Sequence, residues 1–191
     1  MRKSGLASLG IFYHDFRDEQ KKDRSALLSS LLVQLCHQSD AYCDAISKFY
    51  LQHANGSQYP SDSVLLRCLT EMVKLPGHAP VYLIIDALDE CPNTLAIPSP
   101  REKVLEVIEQ LIDSQLPNLR ICVTSRPETD IKALLGPLAF RSVSLHDENG
   151  QMDDIEKYIK SVVHKDARNR KWKAEEKQLV IDVLIKNADG M

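Results

Sequence analysis

The run VYLIIDALDE, residues 81–90, constrains the fold of this chain more than any other segment. Its first five residues are apolar apart from one tyrosine hydroxyl, and three carboxylates follow within the next five positions. A short continuous apolar run predicts a β-strand buried on both faces, as in a parallel sheet covered by helices. The carboxylates would then lie at the carboxyl end of this strand, where open α/β sheets bind ligands.

Strand and helix patterns alternate on both sides of this run. The patterns predict strands at residues 9–16, 81–85, 119–124 and 140–145. They predict helices at residues 24–37, 44–52, 61–73, 99–112, 129–135, 153–163 and 174–186. This order predicts an α/β fold with a doubly wound, mostly parallel sheet. We expect a core at residues 1–150 and the start of a helical extension at 151–191.

The clearest local signal is the helix start at Ser99-Pro100-Arg101-Glu102. Serine is a preferred N-cap, proline suits the first helical position, and a glutamate three residues after the cap completes a capping box. The apolar positions that follow recur at helical spacing and indicate one buried face.

Composition excludes several classes of function. The 191 residues carry a net charge of −3, with 43% hydrophobic and 27% charged residues, which is typical of a globular protein. We therefore expect no nucleic-acid or membrane partner. Five cysteines without a C-x-x-C pair indicate reduced, mostly buried thiols and a cytoplasmic protein. The six histidines lack zinc-ligand spacing and are expected to lie at the surface or at helix caps.

The phosphate-binding loop that an acidic strand of this kind normally accompanies is missing from the sequence. Such a loop reads G-x-x-x-x-G-K-[ST] and opens into a helix. The nearest match runs from Gly5 to Gly10, but Ile11 and Phe12 follow it in a predicted strand. We interpret this match as coincidence, so the chain carries one half of a nucleotide site.

Three segments together resemble a known family. The strand YLIIDALDEC (82–91) resembles the Walker B segment of NACHT NTPases, which are P-loop switch ATPases of the STAND class. LPNLRICVTSRPE (116–128) is similar to their sensor-1 strand, and IFYHDFR (11–17) to the segment after the Walker A helix. The chain thus resembles the nephrocystin-3-like N-terminal domain of fungal NACHT proteins. Because the family's first strand, phosphate loop and following helix lack counterparts, we expect an N-terminally truncated P-loop core or a degenerate paralogue.

The resemblance assigns roles to the carboxylates after the central strand. Asp86 would coordinate Mg²⁺ and so reach the phosphates of ATP or GTP. Glu90, assisted by Asp89, would polarise the attacking water. The structural alternatives are a solvated carboxylate at a strand end for Asp86 and a charged loop for Asp89 and Glu90.

The resemblance also assigns nucleotide-binding roles to the segment after the next strand. Arg126 would sense the γ-phosphate through charge-assisted hydrogen bonds, and Thr124 and Ser125 would contact the phosphate or its water. A surface salt bridge is the alternative for Arg126, and hydroxyls at such positions often cap the following turn.

Three functions remain open on the sequence. The first is a nucleotide switch that, in a complete protein, controls attached ankyrin or WD repeat domains and self-association. The second is a catalytically silent interaction module, since the loop that supplies most phosphate binding is missing. The third is a metal-dependent nuclease or phosphatase built on the clustered carboxylates.

Overall fold

The computed structural model describes residues 6–18, 23–52, 59–77, 79–144 and 151–188, with the backbone alone at 151 and 152. The chain divides into two compact units, Met1–Ala139 and Phe140–Met191. The first unit contains β1 (Ser8–Tyr13), α1 (Arg24–Cys36), α2 (Asp40–Gln52), α3 (Asp62–Lys74), β2 (Val81–Asp86), α4 (Pro100–Asp113), β3 (Leu119–Val123) and α5 (Thr129–Leu138). The second contains α6 (Gln151–Lys165) and α7 (Ala174–Asn187), with a short 3-10 helix (Ala167–Lys171) between them.

The three strands form one parallel sheet in the order β1-β2-β3. Tyr13 lies beside Asp86, and Ile85 lies beside Val123, so the carboxyl ends of all three strands meet at one edge. An α/β fold with a parallel sheet is therefore confirmed, and the acidic residues after β2 lie at the ligand-binding edge of such sheets.

One face of the sheet carries the hydrophobic core. Phe12 on β1 and Leu83 and Ile85 on β2 are buried beneath apolar side chains of α1, α3 and α4. α1 approaches the sheet so closely that a Cβ at Gly10 would lie 2.8 Å from Leu31 Cδ2. Gly10 thus belongs to a strand under a helix, as expected if its match to a phosphate loop is coincidental.

The other face of the sheet is open, so the prediction of a strand buried on both faces is wrong for β2. Burial alternates along β2: Val81, Leu83 and Ile85 are buried, whereas the Tyr82 side chain is 41% exposed. In the part of the chain that the structure describes, the helices that pack on the core face leave this second face uncovered. A shallow groove of about 300 Å³ runs over it between β2 and β3.

The outer edge of β1 is covered by two glutamine side chains, that of Gln34 in α1 and that of Gln38 in the turn directly after this helix. The Gln34 amide accepts the N–H of Ile11 at 3.0 Å and donates to its carbonyl at 2.7 Å. The Gln38 amide pairs with Leu9 in the same way, at 2.9 and 2.8 Å. These amides satisfy the backbone groups that a neighbouring strand would otherwise bond.

The predicted helix starts are largely confirmed. Ser99 caps α4, its hydroxyl accepting the Glu102 N–H, and the Glu102 carboxylate accepts the Ser99 N–H to complete the capping box. Asp23 caps α1 in the same manner by accepting the Ala26 N–H. α2 begins four residues earlier than predicted, at Asp40, and α5 ends three residues later.

The strand predicted at 140–145 is wrong over the residues that the structure describes. Residues 140–144 form no strand, and the side chains of Phe140 and Val143 are exposed; Leu145 lies outside the described residues. A strand needs a partner to satisfy its backbone, and two exposed apolar residues supply little burial to hold one in place. The two helices predicted after this segment are confirmed as α6 and α7.

The cysteines depart from the expectation of reduced thiols throughout. Cys36 at the end of α1 forms a disulfide with Cys43 in α2, with their Cα atoms 4.6 Å apart. Cys68 and Cys91 form no disulfide and are buried as expected, whereas Cys122 forms no disulfide and is exposed on the open face. The odd cysteine count and absent C-x-x-C motif gave no signal for a pair seven residues apart.

No helix among the described residues combines the length and the apolar character needed to cross a membrane. The expectation that the histidines lie at the surface or at helix caps is wrong for His14, which follows β1 and is only 2% exposed, with its ring edge-on to Phe12.

Candidate functional site at the carboxyl edge of the sheet

Asp86 and Thr124 connect the ends of β2 and β3. The Thr124 hydroxyl donates a hydrogen bond to Asp86 Oδ1 and accepts the Ala87 N–H at 3.0 Å. The Thr124 carbonyl in turn accepts the Leu88 N–H at 3.0 Å. The structure therefore brings the candidate metal ligand and one candidate phosphate ligand into direct contact.

A tight turn redirects the chain directly after Asp86. Ala87 takes a left-handed conformation, with φ of 53°, which is uncommon for a residue other than glycine. Leu88, Asp89 and Glu90 then form one turn of 3-10 helix, called here the acidic turn. Leu88 is fully buried and anchors this turn to the core, so its two carboxylates are presented beside the strand ends.

Asp89 is engaged by Arg126 through both of its carboxylate oxygens. Its Oδ1 accepts the Arg126 N–H at 3.0 Å, and its Oδ2 lies 3.4 Å from Arg126 Nε. The Asp89 side chain is only 11% exposed, whereas that of Arg126 is 79% exposed. In this arrangement Asp89 holds Arg126, and the guanidinium reaches solvent at the mouth of the site.

Glu90 lies on the other side of the turn, near the end of β1. Its Oε2 accepts the Phe16 N–H at 3.4 Å, a long contact that still ties the acidic turn to the segment after β1. Within the described residues, the ion pairs include no lysine or arginine that faces Asp86 or Glu90. Two carboxylates therefore remain at this edge without a cationic partner there, which favours a metal cation.

Ser125 contributes less to this arrangement than Thr124. Its side chain is exposed, and within the described ranges its hydroxyl makes no hydrogen bond to the other candidate residues. Thr124, directly after β3, is therefore the residue whose hydroxyl faces Asp86.

The donor set at this edge fits Mg²⁺ bound together with a nucleotide better than a metal held by protein alone. No group of three or more histidine, cysteine, aspartate or glutamate side chains in the described part of the chain is placed to hold a metal ion. Mg²⁺ commonly uses one or two carboxylates and completes its shell with water and phosphate oxygens, which Asp86 alone can satisfy. A two-metal nuclease or phosphatase needs more ligands, so this ligand set does not support it.

Arg101 is a central residue of this edge that the sequence reasoning used only as part of a helix start. Its guanidinium is buried and donates to the carbonyls of Asp89 and Cys91, at 2.5 and 2.9 Å, and pairs with Asp130 at 3.3 Å. The signal was present in the sequence. A cation in the first turn of a helix opposes the helix dipole, and therefore needs a partner elsewhere.

Cys91 adjoins the acidic turn but is not a candidate nucleophile. Burial raises the pKa of its thiol to about 12, so the reactive thiolate is scarce at neutral pH.

Comparison with known proteins identifies the family of this chain. The family described as nephrocystin 3, N-terminal, matches residues 1–126. Over 130 residues, 66% of this chain, the sequence is 29% identical to the vegetative incompatibility protein HET-E-1 of Podospora anserina. The matched segment spans 9% of that protein's length. No solved structure matches the chain.

Proposed function

This chain belongs to the nephrocystin 3 N-terminal family, and from that premise we propose that it forms the metal- and γ-phosphate-facing half of a nucleotide switch. The switch would be part of a cytoplasmic NACHT-type signalling NTPase that binds ATP or GTP. In the complete protein it would control attached repeat domains and self-association. The sheet would then be the core of a doubly wound, P-loop-type domain whose second face is also covered.

The contact between Asp86 and Thr124 carries this proposal. It joins the ends of two neighbouring parallel strands at the edge where open α/β sheets bind ligands. A threonine hydroxyl that orients a metal-binding carboxylate is a common outer-shell arrangement. The remaining negative charge on Asp86 and Glu90 suits a divalent cation rather than a free anion.

Each side chain then has a defined task. Asp86 would hold Mg²⁺, which, when bound, neutralises charge that develops on the phosphates. Glu90 would orient and polarise a water molecule, while Asp89 keeps Arg126 at the mouth of the site. Arg126 would leave Asp89 for the γ-phosphate, exchanging one charge-assisted contact for another.

The chain alone is expected to bind nucleotide weakly. Most of the affinity for phosphates in P-loop proteins comes from a nest of backbone N–H groups and a lysine, and the 191 residues contain no such loop motif. Carboxylates without that cradle repel an anionic nucleotide unless a metal bridges them.

A catalytically silent interaction module, or a degenerate paralogue, is the second candidate. The observation that favours it is the engagement of Arg126 with Asp89, because an arginine already paired needs no phosphate to balance its charge. In that case the acidic edge would be a structural remnant.

Calorimetric titration of Mg²⁺–ATP and Mg²⁺–GTP into two proteins tests the proposal. The first protein is the 191-residue chain, and the second is the chain extended upstream in its own reading frame to include a phosphate loop. We expect a dissociation constant weaker than about 1 mM for the first and micromolar binding for the second. Asp86→Asn should weaken Mg²⁺-dependent binding by the extended protein, whereas Asp113→Asn, an exposed carboxylate at the end of α4, should not.

Two results would contradict the proposal. If the extended protein binds nucleotide no better than the chain alone, the silent module is the better description. Submillimolar binding by the chain alone would show that the described edge is more than half a site.

A further inference from the structure

We propose that Arg101 is a positioning residue of this site, which holds the acidic turn in the geometry that keeps Asp89 on Arg126. The inference rests on the proposed function for its purpose, but its contacts are independent of any nucleotide. The guanidinium contacts of Arg101 include neither Asp86 nor the ends of the strands. Arg101 would therefore act on the site through the acidic turn.

The guanidinium holds the backbone of the acidic turn at Asp89 and the backbone directly after the turn at Cys91. Arg101 Nη2 donates to the Asp89 carbonyl at 2.5 Å, and Nε donates to the Cys91 carbonyl at 2.9 Å. The Arg101 N–H also donates to the Pro92 carbonyl at 3.1 Å. Arg101 therefore fixes the chain at Asp89, Cys91 and Pro92 to the first turn of α4, shortly after the left-handed bend at Ala87.

The same guanidinium fixes the segment after β3. Its Nη1 pairs with the Asp130 carboxylate, at 3.3 and 3.4 Å to the two oxygens, and Asn93 Nδ2 donates to that carboxylate at 3.2 Å. Asp130 follows Arg126 by four residues. The segment 126–130 is thus attached to the acidic turn at both ends, by the Asp89 side chain at one end and by Arg101 at the other.

Burial explains why this task requires arginine. Arg101 is only 7% exposed, and an unpaired charge in that position would be strongly unfavourable. The planar guanidinium supplies donors in fixed directions, so it can meet two carbonyls and one carboxylate at once. A lysine could balance the charge of Asp130, but its single ammonium cannot reach all three acceptors in this geometry.

Hydrogen exchange measured by NMR on the 191-residue chain, without nucleotide, tests the inference. In Arg101→Gln we expect the Arg126 amide, which donates to Asp89, to exchange about tenfold faster than in the wild type. Arg101→Lys should give most of the same increase, although it keeps the charge. Lys103→Gln, which removes one positive charge from the same helical turn, should leave Arg126 unchanged.

The Leu83 amide of β2 separates positioning from stability. If Arg101 only stabilised the fold, exchange at Leu83 and Arg126 would rise by the same factor, and the inference would be overturned. An unchanged Arg126 amide in Arg101→Gln would overturn it as well. If Arg101→Gln fails to fold, Asp130→Asn removes only the ion pair between Arg101 and Asp130, whose side chain is 32% exposed, and should still accelerate exchange at Arg126, about threefold.

The outcome is distinct from that of the nucleotide titration. If Arg126 exchanges faster in Arg101→Gln but the extended protein binds no nucleotide, Arg101 positions the acidic turn, but not for nucleotide binding. If Arg126 exchange is unchanged in Arg101→Gln but the extended protein binds nucleotide, the proposed switch stands and Arg101 has no positioning role in it.

Discussion

The glutamine pair at the end of α1, Gln34 and Gln38, should contribute measurably to stability by closing the edge of β1. Gln34 lies in the last turn of α1 and Gln38 in the turn that directly follows it, and four residues of helix rise about 6.0 Å. Leu9 and Ile11 are two residues apart on a strand, a rise of about 6.6 Å. The two repeats nearly match, so both amides can pair with the strand at 2.7–3.0 Å.

The double variant Gln34→Ala, Gln38→Ala removes all four of these hydrogen bonds. At about 1 kcal/mol net for each, their loss would cost at most about 4 kcal/mol. Water can partly replace the amides because this edge is only half-buried, and alanine at position 34, the one of the two that lies in α1, favours the helix by a few tenths of a kcal/mol. We therefore expect a loss of about 2 kcal/mol in the free energy of unfolding.

Urea denaturation followed by circular dichroism measures this loss, and hydrogen exchange at Leu9 and Ile11 locates it. Both amides should exchange faster in the double variant, and the bare edge should increase self-association in light scattering. Gln110→Ala, on the exposed side of α4, is the matched control and should change neither quantity. Gln34→Glu keeps the acceptor for the Ile11 N–H and should lose about half as much as Gln34→Ala.

Unchanged stability together with unchanged exchange at Leu9 and Ile11 would refute the argument. It would mean that water satisfies this edge as well as the amides do. A loss equal to that of Gln110→Ala would assign the effect to the helix rather than to the strand.

Three further predictions concern packing, charge and thiol access. Gly10→Ala should lower stability by about 1–3 kcal/mol, measured by thermal denaturation, because its methyl group would overlap α1. Burial alone would raise the pKa of Asp62, but hydrogen bonds from Ser25 and Arg24 outweigh this effect. The pKa of Asp62 is therefore lowered from its ordinary value of 3.8. The Asp62 carboxylate therefore stabilises the fold at pH values above its pKa in the unfolded chain. This stabilisation is lost as the pH falls through its lower pKa in the folded protein. Asp62→Asn should therefore cost up to about 1 kcal/mol at pH 7 in urea denaturation, and progressively less below pH 3.8. Native mass spectrometry after maleimide treatment should show Cys122 modified first, since it is the exposed thiol among the free cysteines described.

Local signals with one strong cause were predictable from the sequence. The capping box at Ser99 and Glu102 depends on neighbours three residues apart, and it forms as predicted. The apolar run before Asp86 ends in carboxylates that no strand interior would bury, so the end of β2 was also fixed by the chain itself. These features need no knowledge of distant contacts.

Features that depend on distant partners were not predictable in the same way. Tyr82 reads as part of a buried run, yet its exposure depends on whether a helix covers that face. Phe140 and Val143 alternate like a strand, but residues 140–144 find no partner strand among the described residues. Cys36 and Cys43 are paired because α1 and α2 meet at a corner, which the spacing alone does not reveal.

The proximity of the candidate residues was predictable, but the way in which they pair was not. Asp86 and Thr124 end neighbouring strands, and parallel register alone brings them together. That Asp89 would face Arg126, rather than solvent, depends on the acidic turn, whose backbone Arg101 holds from another helix. Asp86, Asp89 and Glu90 therefore differ in their contacts because their neighbours differ.

This division of charge has a consequence for how the edge would meet a ligand. Of the four carboxylates Asp86, Asp89, Glu90 and Asp130, Asp89 is balanced by Arg126 and Asp130 by Arg101, whereas Asp86 and Glu90 have no ion-pair partner among the described residues. A cation would therefore be attracted first, and only then would the phosphates of a nucleotide have an electrostatic reason to approach. Once they did, they would compete with Asp89 for Arg126, so binding and the release of Arg126 from the acidic turn would be one event. Because Arg101 would still hold the turn and Asp130, the freed arginine could move while its surroundings stay in place.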